Sequence, residues 1–293
     1  MNIMDSRAKN LFKIHIAVLL FGLTGLFGKF LDIPAHHIVL GRVFFASVSM
    51  GLYFYLRRIS IKLNSRKDYI VIFMLGALLA FHWTAFYRSV QVSTVAIALL
   101  TFSAYPIFVT FFEPIIFNER LNKTDILLAI VMFIGVIFIV PDFDLSNNLT
   151  IGTIWGMVGC LTFAVMALLN RQLASKYAGS VVAFYEQGIA TIVLFPTLII
   201  SRPEMTLTDW WLVILLGVVF TGLAHSLFIG GMKVIRAQTA GIIASLESVY
   251  GIIFAAVILH EIPSARELIG GVIILGAAFL STMKSSKELP VSK

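Results

Sequence analysis

A glutamate lies deep inside one of the longest apolar stretches of this sequence. Glu247 stands about ten residues into the hydrophobic run Ala237–Leu259. A charged side chain at the centre of a bilayer costs roughly 2.5 kcal/mol or more, so acids in such positions usually face a cavity or take part in function. The carboxyl group could bind an amine or change its protonation state. The alternative is a structural acid paired with a base such as Arg42 or a histidine.

Several other side chains in apolar runs could contact a ligand. An imidazole at His82 or His225 could donate a hydrogen bond to a ligand or relay a proton, although histidines on membrane helices also form interhelical hydrogen bonds. Trp83 and Tyr87 could line a binding site or belong to the aromatic belt at the membrane interface. Arg42 fits anion binding, snorkelling and structural pairing equally well. The candidate set is completed by the polar residues Thr24, Thr101, Ser103, Tyr105, Asn170, Ser245 and Tyr250.

The residue patterns of enzymes and metal sites are missing from the sequence. It has no Gly-x-Ser-x-Gly, no His-Glu-x-x-His and no phosphate-binding Walker loop. Its single cysteine, Cys160, excludes an intramolecular disulfide and a cysteine-cluster metal site. The six histidines have no paired helical spacing. We therefore expect neither an enzyme nor a bound metal or cofactor.

The composition indicates a membrane protein that positions these residues on transmembrane helices. Hydrophobic residues make up 59% of the chain and charged residues 13%. A bilayer core takes about 20 apolar helical residues, which predicts ten spans and an all-α fold. The predicted segments are Ile14–Leu31, Ile38–Leu56, Tyr69–Tyr87, Val92–Phe117, Ile126–Val140, Gly152–Leu169, Val181–Ser201, Trp210–Ile229, Ala237–Leu259 and Leu268–Met283.

The distribution of basic residues predicts the orientation in the membrane. With the N-terminus inside the cell, 17 of the 22 Lys and Arg residues fall on the cytoplasmic side, as expected for cytoplasmic loops. This places both termini in the cytoplasm and the chain in the cell inner (cytoplasmic) membrane. The topology accounts for the net charge of +7, so that charge does not indicate a nucleic-acid partner.

The two halves of the chain resemble each other at an offset of 142 residues. This offset aligns Phe21 with Phe163 and Glu119 with Glu261, and it superposes the ends of the predicted segments. We predict a first repeat over residues 12–140, a linker over 141–150, a second repeat over 151–283 and a cytoplasmic tail over 284–293. Because each repeat has five spans, the second must enter the membrane from the opposite side. Such inverted repeats are typical of transporters that bind their substrate near the membrane midplane.

Two stretches of sequence carry a resemblance to a known family. Segment four reads STVAIALLTFSAYPIF from Ser93, and segment nine reads AQTAGIIASLESVY from Ala237. A glutamate, Glu119 or Glu261, follows fourteen residues after a mid-helix landmark in each repeat, Tyr105 or Glu247. Both repeats resemble EamA domains of the drug/metabolite transporter superfamily. Many second repeats of the family have a proline after the glutamate, whereas this chain has Ser248.

The resemblance implies a ten-helix carrier with a central cavity lined by segments one, three, four, six, eight and nine. It implies alternating access and the export of small metabolites such as amino acids. A uniporter or channel-like facilitator and a flippase for lipid-linked substrates remain open alternatives. The expected partners are a small-molecule substrate and membrane lipid, and the Gly270-Gly271 pair is a candidate contact for a homodimer. Pro106 and Pro114 predict kinks in segment four.

Overall fold

All regular secondary structure in the described part of the computed structural model is helical. The structure describes residues 3–117, 123–140, 144–174, 176–232, 243–244 and 246–288. Within these ranges, seven helical stretches are long and apolar enough to cross a membrane, and Leu246–Ile258 is a shorter apolar helix. The seven are Ala8–Phe30, Ala35–Leu56, Arg66–Val92, Val95–Ile116, Asn148–Asn170, Gly179–Ile200 and Leu207–Phe228. The chain therefore has the architecture of a multi-pass, all-helical membrane protein.

The helices follow the predicted apolar segments closely. We number the α-helices in chain order. They are α1 Ile3–Leu23, α2 Phe27–Phe30, α3 Ala35–Leu56, α4 Arg66–Val92, α5 Val95–Phe102, α6 Pro106–Phe117, α7 Lys123–Ile139, α8 Asn148–Ala174, α9 Gly179–Leu194, α10 Thr197–Ile200, α11 Leu207–Gly217, α12 Ala224–Met232, α13 Leu246–Ile258 and α14 Ala265–Glu288. A 3₁₀ turn, Thr24–Leu26, joins α1 to α2, and a π-helix, Val218–Leu223, joins α11 to α12.

Helices from the two halves of the chain pack directly on each other. The long helix α4 packs on α8 and α9, α1 packs on α12 and α13, and α7 packs along α14. Glycines allow the closest approaches. A Cβ atom added at Gly22 of α1 would lie 2.8 Å from the carbonyl oxygen of Glu247, and one added at Gly251 of α13 would lie 2.8 Å from the Gly22 carbonyl oxygen. The backbones of α1 and α13 therefore cross in contact beside Glu247.

The fourth span is interrupted in the middle of the membrane. Helix α5 ends at Phe102, a turn follows, and α6 begins at Pro106. Because Pro106 has no backbone N–H, it cannot continue the hydrogen-bond ladder of α5 but suits the first position of α6. The interruption predicted at Pro106 is thus confirmed, whereas Pro114 lies inside the regular helix α6. The turn places Ser103 and Tyr105 beside the facing helix α13.

A second irregularity lies in the span formed by α11 and α12. The π-helix Val218–Leu223 inserts an additional residue into the helical ladder, and such insertions occur frequently at functional sites. The Thr221 hydroxyl donates to the Leu216 carbonyl oxygen five residues back, at 2.9 Å. The His225 Nδ1 atom lies 2.9 Å from the Thr221 carbonyl oxygen. The irregular backbone at this depth is therefore satisfied by side chains.

A charged cluster ties three segments together at the end of α5 that begins with Val95. The Lys29 Nζ atom lies 3.3 Å from Glu261 Oε1 and donates to the Ser93 carbonyl oxygen at 2.5 Å. The Val95 backbone N–H donates to Glu261 Oε2 at 2.9 Å, so Glu261 also caps the N-terminus of α5. The cluster joins the end of α2, the start of α5 and the loop before α14.

Replacing Glu261 by glutamine should lower the free energy of unfolding by about 1 kcal/mol. The side chains of Lys29 and Glu261 are only 24% and 22% exposed, so their attraction is less screened than that of a surface pair. Glutamine keeps an oxygen for the Val95 N–H but loses the charge. Unfolding in detergent, measured for Glu261→Gln, Lys29→Met and the double variant, gives the coupling energy of the pair. A coupling energy of zero would show that the ion pair is not stabilising.

A second polar cluster lies at the opposite ends of α4 and α8. Asp68 Oδ1 lies 2.9 Å from Lys176 Nζ, and the Tyr177 hydroxyl donates to Asp68 Oδ2 at 2.6 Å. The hydrogen bond to Asp68 holds the pKa of Lys176 above its ordinary value. The Asn64 N–H donates to the Tyr177 hydroxyl oxygen at 2.8 Å, which fixes the loop before α4. The two halves of the chain are therefore also joined at this face.

Candidate functional site

Arg42 of α3 is held in one orientation by three helices. Its Nε atom donates to Thr221 Oγ1 at 2.8 Å, and Nη1 donates to the Tyr87 hydroxyl at 3.3 Å. The guanidinium carbon lies 3.7 Å from the centroid of the Trp83 ring, a stacked cation–π contact. Because the residue is only 4% exposed, it does not snorkel to the membrane surface. The contacts fix the plane of the guanidinium group.

Tyr87 connects Arg42 to the first span. Its side chain is fully buried, and its hydroxyl donates to the Thr24 carbonyl oxygen at 3.1 Å. The Thr24 hydroxyl donates to the Phe21 carbonyl oxygen at 2.7 Å. This burial places Tyr87 inside the helix bundle and not in an interfacial aromatic belt. A continuous chain of hydrogen bonds thus runs from α1 through α4 and α3 to the π-helix.

Glu247 of α13 lies across from Arg42 with its side chain half-buried. It interacts electrostatically with Arg42 and with Tyr105. Among the described residues it forms no ion pair within 4.0 Å and no hydrogen bond, and neither carboxyl oxygen is fully enclosed. By the same test the Nη2 atom of Arg42 is unbonded within the described structure and not fully enclosed. Opposite charges therefore face accessible space from two sides.

Aromatic rings flank this pair of charges on two sides. On one side, the His225 ring lies 4.9 Å from the Phe21 ring and 6.5 Å from the Trp83 ring. On the other side, the Tyr105 and Phe163 rings meet edge to face at 5.0 Å. All five of these side chains are half-buried, as expected for residues that line an internal space. The rings come from α1, α4, α8, α12 and the turn between α5 and α6.

His82 serves as an interhelical contact. Its Nδ1 atom lies 2.8 Å from the Gly159 carbonyl oxygen of α8, and a carbonyl can only accept, so Nδ1 carries the hydrogen. The ring packs 5.4 Å from Phe102 and 5.3 Å from Phe163, and the side chain is 3% exposed. The alternative of a satisfied interhelical histidine fits this geometry, and His82 supports the aromatic rings without facing Glu247.

The remaining predicted site residues lie at several distances from the charge pair. Ser103 forms a 2.6 Å hydroxyl contact with Ser248 between the turn and α13. Thr101 is fully buried, and its hydroxyl donates to the Ile97 carbonyl oxygen of its own helix at 2.6 Å. Tyr250 packs between α1 and α13. Asn170 of α8 faces Glu186 of α9 instead of Glu247. Ser245 lies outside the described residues.

Sequence reasoning missed Thr221 and three phenylalanines, Phe21, Phe102 and Phe163. Thr221 reaches Arg42 because the π-helix turns it inward, and no local sequence signal marks that insertion. The phenylalanines are three among the 25 of this chain. The only signal that could have singled them out is the internal repeat, which matches Phe21 with Phe163.

The two most pronounced surface grooves lie away from this site. One, of about 450 Å³, is lined by apolar residues of α6, α7 and α8 such as Phe108 and Met157, and none of its lining residues is ionisable. The other, of about 670 Å³, lies beside the 56–61 loop. In the described residues, no group of three His, Cys, Asp or Glu side chains could hold a metal ion. The chemistry available at the centre is therefore the binding of a charged or dipolar molecule.

Comparisons with known proteins agree with this geometry. The family model described as EamA-like transporter family matches residues 9–140 and again residues 150–283. Over 289 residues the chain is 23% identical to Uncharacterized transporter YxxF from Bacillus subtilis (strain 168), covering 96% of this chain and 91% of that protein. It is 26% identical over 197 residues to an uncharacterized transporter from Archaeoglobus fulgidus, covering 67% of this chain and 70% of that one.

A crystal structure of a protein that is 17% identical in sequence superposes with a TM-score of 0.66. The match covers 98% of this chain and 99% of the other, so the fold is shared over the whole length. The two family matches together cover most of the sequence, and the relatives are named transporters. The chain belongs to the EamA-like transporter family.

Proposed function

We propose that this transporter is a secondary carrier for small metabolites that carry both a positive and a negative charge, with amino acids as the first candidates. The observation that carries the proposal is the pair formed by Arg42 and Glu247. Each has accessible polar atoms, and no direct ion pair joins the two within the described structure. A substrate carboxylate would bind the free guanidinium edge, and a substrate amine would bind the carboxylate.

The neighbouring aromatic rings would contact the apolar part of such a substrate. Trp83, Phe21 and His225 lie on one side of the charges, and Tyr105 and Phe163 lie on the other. Binding sites for small molecules typically combine apolar and aromatic walls with a few placed polar groups. The aromatic surface favours amphipathic substrates over small hydrophilic ones.

The proposed mechanism is alternating access between two inverted repeats of five spans each. Residues 12–140 would form the first repeat, 141–150 the linker, 151–283 the second repeat and 284–293 a cytoplasmic tail. Support comes from the two family matches, the sequence offset of 142 residues and two interrupted spans at the site, one at Pro106 and one at the π-helix. Rocking of one repeat against the other would expose the bound substrate to each side in turn.

The proposal places the protein in the cytoplasmic membrane with both termini inside the cell, as the excess of basic residues in alternate loops favours. Export is the proposed direction and rests on the family resemblance alone. We propose no enzymatic activity and no bound cofactor. Membrane lipid surrounds the protein in this account, and Gly270-Gly271 is no longer offered as a dimer contact, because Gly270 packs on Ile139 of α7 and Gly271 on Leu100 of α5.

Counterflow separates a carrier from a channel-like facilitator. Proteoliposomes are loaded with an unlabelled amino acid and diluted into a trace of the same labelled compound, over a panel of neutral and aromatic amino acids. We expect transient accumulation of label above equilibrium for at least one compound, because a carrier returns faster when loaded. Entry of label without overshoot would support a facilitator. No entry for any member of the panel would favour lipid-linked substrates, the second alternative.

A further inference from the structure

A second acid lies inside the bundle and away from the charge pair. Glu186 is on α9, seven residues from the start of that helix, and its side chain is 8% exposed. Its Oε1 atom is fully enclosed and has no hydrogen-bond partner. Oε2 also forms no hydrogen bond within the described structure but is not fully enclosed. The adjacent Gln187 is 1% exposed, and its Oε1 atom likewise has no partner.

The surroundings of Glu186 differ from those of Glu247 in one decisive respect. Glu247 interacts with the positive charge of Arg42, whereas the polar side chain that faces Glu186 is the neutral amide of Asn170. A buried carboxylate without a counter-charge is strongly disfavoured relative to the neutral acid. An amide is also a suitable partner for a neutral acid, because its oxygen accepts the acid O–H and its NH₂ group donates to the carbonyl oxygen.

The ionisable groups on the helices packed against α9 have other partners or lie at other levels. Helices α3, α4 and α12 contact α9. Their ionisable groups in the described residues are His36, His37, Arg42, Tyr53, Tyr55, Arg66, Lys67, Asp68, Tyr69, His82, Tyr87, Arg88 and His225. Arg42 bonds Thr221 and Tyr87, and Asp68 bonds Lys176. None of the group forms a hydrogen bond or ion pair with Glu186 within the described structure.

We propose that Glu186, together with Asn170, is a proton-binding site that couples transport to a proton gradient. In the conformation described here the carboxyl group is neutral and holds the proton. When the helices rearrange and water reaches the enclosed oxygen, the O–H bond breaks, the proton passes to water and the carboxylate remains. The coupling role rests on the proposed carrier function, whereas proton occupancy of Glu186 does not. The two acids thus have separate roles, Glu247 toward substrate and Glu186 toward the proton.

Infrared spectroscopy of the purified full-length protein tests the occupancy without any substrate. The carbonyl stretch of a neutral carboxylic acid is distinct from the bands of a carboxylate. We expect a neutral-acid band at pH 7 that is lost in Glu186→Gln and retained in Glu247→Gln. Glu113→Gln is the matched control, since Glu113 is a half-buried acid on α6 with a partner of its own. A spectrum of Glu186→Gln with the same neutral-acid bands as the native protein would overturn the proposal.

Flux in proteoliposomes tests the coupling role with the amino-acid panel used for counterflow. A pH gradient should change the initial rate of the native protein several-fold. Glu186→Gln should keep counterflow, because exchange of substrate needs no proton release, and should lose the response to the gradient. A sodium gradient should have no effect on either protein. A gradient response that Glu186→Gln retains would contradict coupling at this site. If the panel gives no flux at all, the carrier proposal fails, and the infrared result still decides whether Glu186 holds a proton.

Discussion

Replacing Arg42 by methionine should reduce the transport rate at least tenfold. Methionine keeps much of the side-chain volume but removes the hydrogen bonds to Thr221 and Tyr87 and the contact with Trp83. Hydrogen bonds to charged groups contribute about 1.5–3 kcal/mol each, and one such bond to a substrate carboxylate corresponds to a tenfold or larger loss of affinity. The measurement is the initial flux of a transported panel compound, with the amount of inserted protein determined in parallel.

Two controls separate the role of Arg42 from a general loss of charge. Arg202→Met removes a basic residue that is exposed in the loop before α11, and we expect its flux to equal that of the native protein. Arg42→Lys keeps the charge, but a lysine cannot stack on Trp83 and bond both hydroxyls in the same fixed plane. It should therefore recover little of the flux. Native flux in Arg42→Met would rule out the guanidinium group as part of the substrate site.

Replacing Gly251 by leucine should destabilise the protein by about 3 kcal/mol and abolish transport. Any side chain at this position must move the backbone of α1, because its Cβ would lie 2.8 Å from the Gly22 carbonyl oxygen. Overpacking of a close contact typically costs about 1–3 kcal/mol. The shift would also move Glu247, which lies one turn before Gly251 on α13. The thermal midpoint in detergent and the flux at equal protein amount measure the two effects.

The chain provides a matched control for this substitution. Gly276 of α14 has open space where a Cβ would be added, with no atom within 4 Å. Gly276→Leu makes the same chemical change on another membrane helix and should leave the midpoint close to that of the native protein. Equal midpoints for the Gly251 and Gly276 variants would mean that α1 and α13 are not held in close contact.

The sequence predicts the helices well because their apolar runs are set by the thickness of the bilayer. The break at Pro106 was also predictable, since proline lacks the N–H that the helix ladder requires. The partner of Arg42 was not. Among the alternatives for Arg42, pairing with Glu247 remained open, and the structure instead shows bonds to Thr221 and Tyr87 with Glu247 at a distance.

Contacts that depend on tertiary geometry explain the other differences. Thr101 belongs to the same polar stretch as Ser103 and Tyr105, but one helical turn rotates it into the interface with α8, where Gly156 lies against it. Asn170 faces Glu186 because α8 runs between the two acids, a relation that no spacing in the sequence encodes. The rotation of each helix about its axis is fixed by packing and cannot be read from hydrophobicity alone, because these helices are apolar on nearly all faces.

The most direct test of the central claim compares the native chain with Glu247→Gln in proteoliposomes. Glutamine has nearly the same shape as glutamate but cannot provide the negative charge that faces Arg42. The assay measures the flux of a labelled panel of amino acids and related metabolites, with folding and insertion checked for both proteins. The account predicts that the native chain transports at least one dipolar compound and that Glu247→Gln, although folded and inserted, loses this flux. Equal flux in the two proteins would contradict the account and make Glu247 a structural residue.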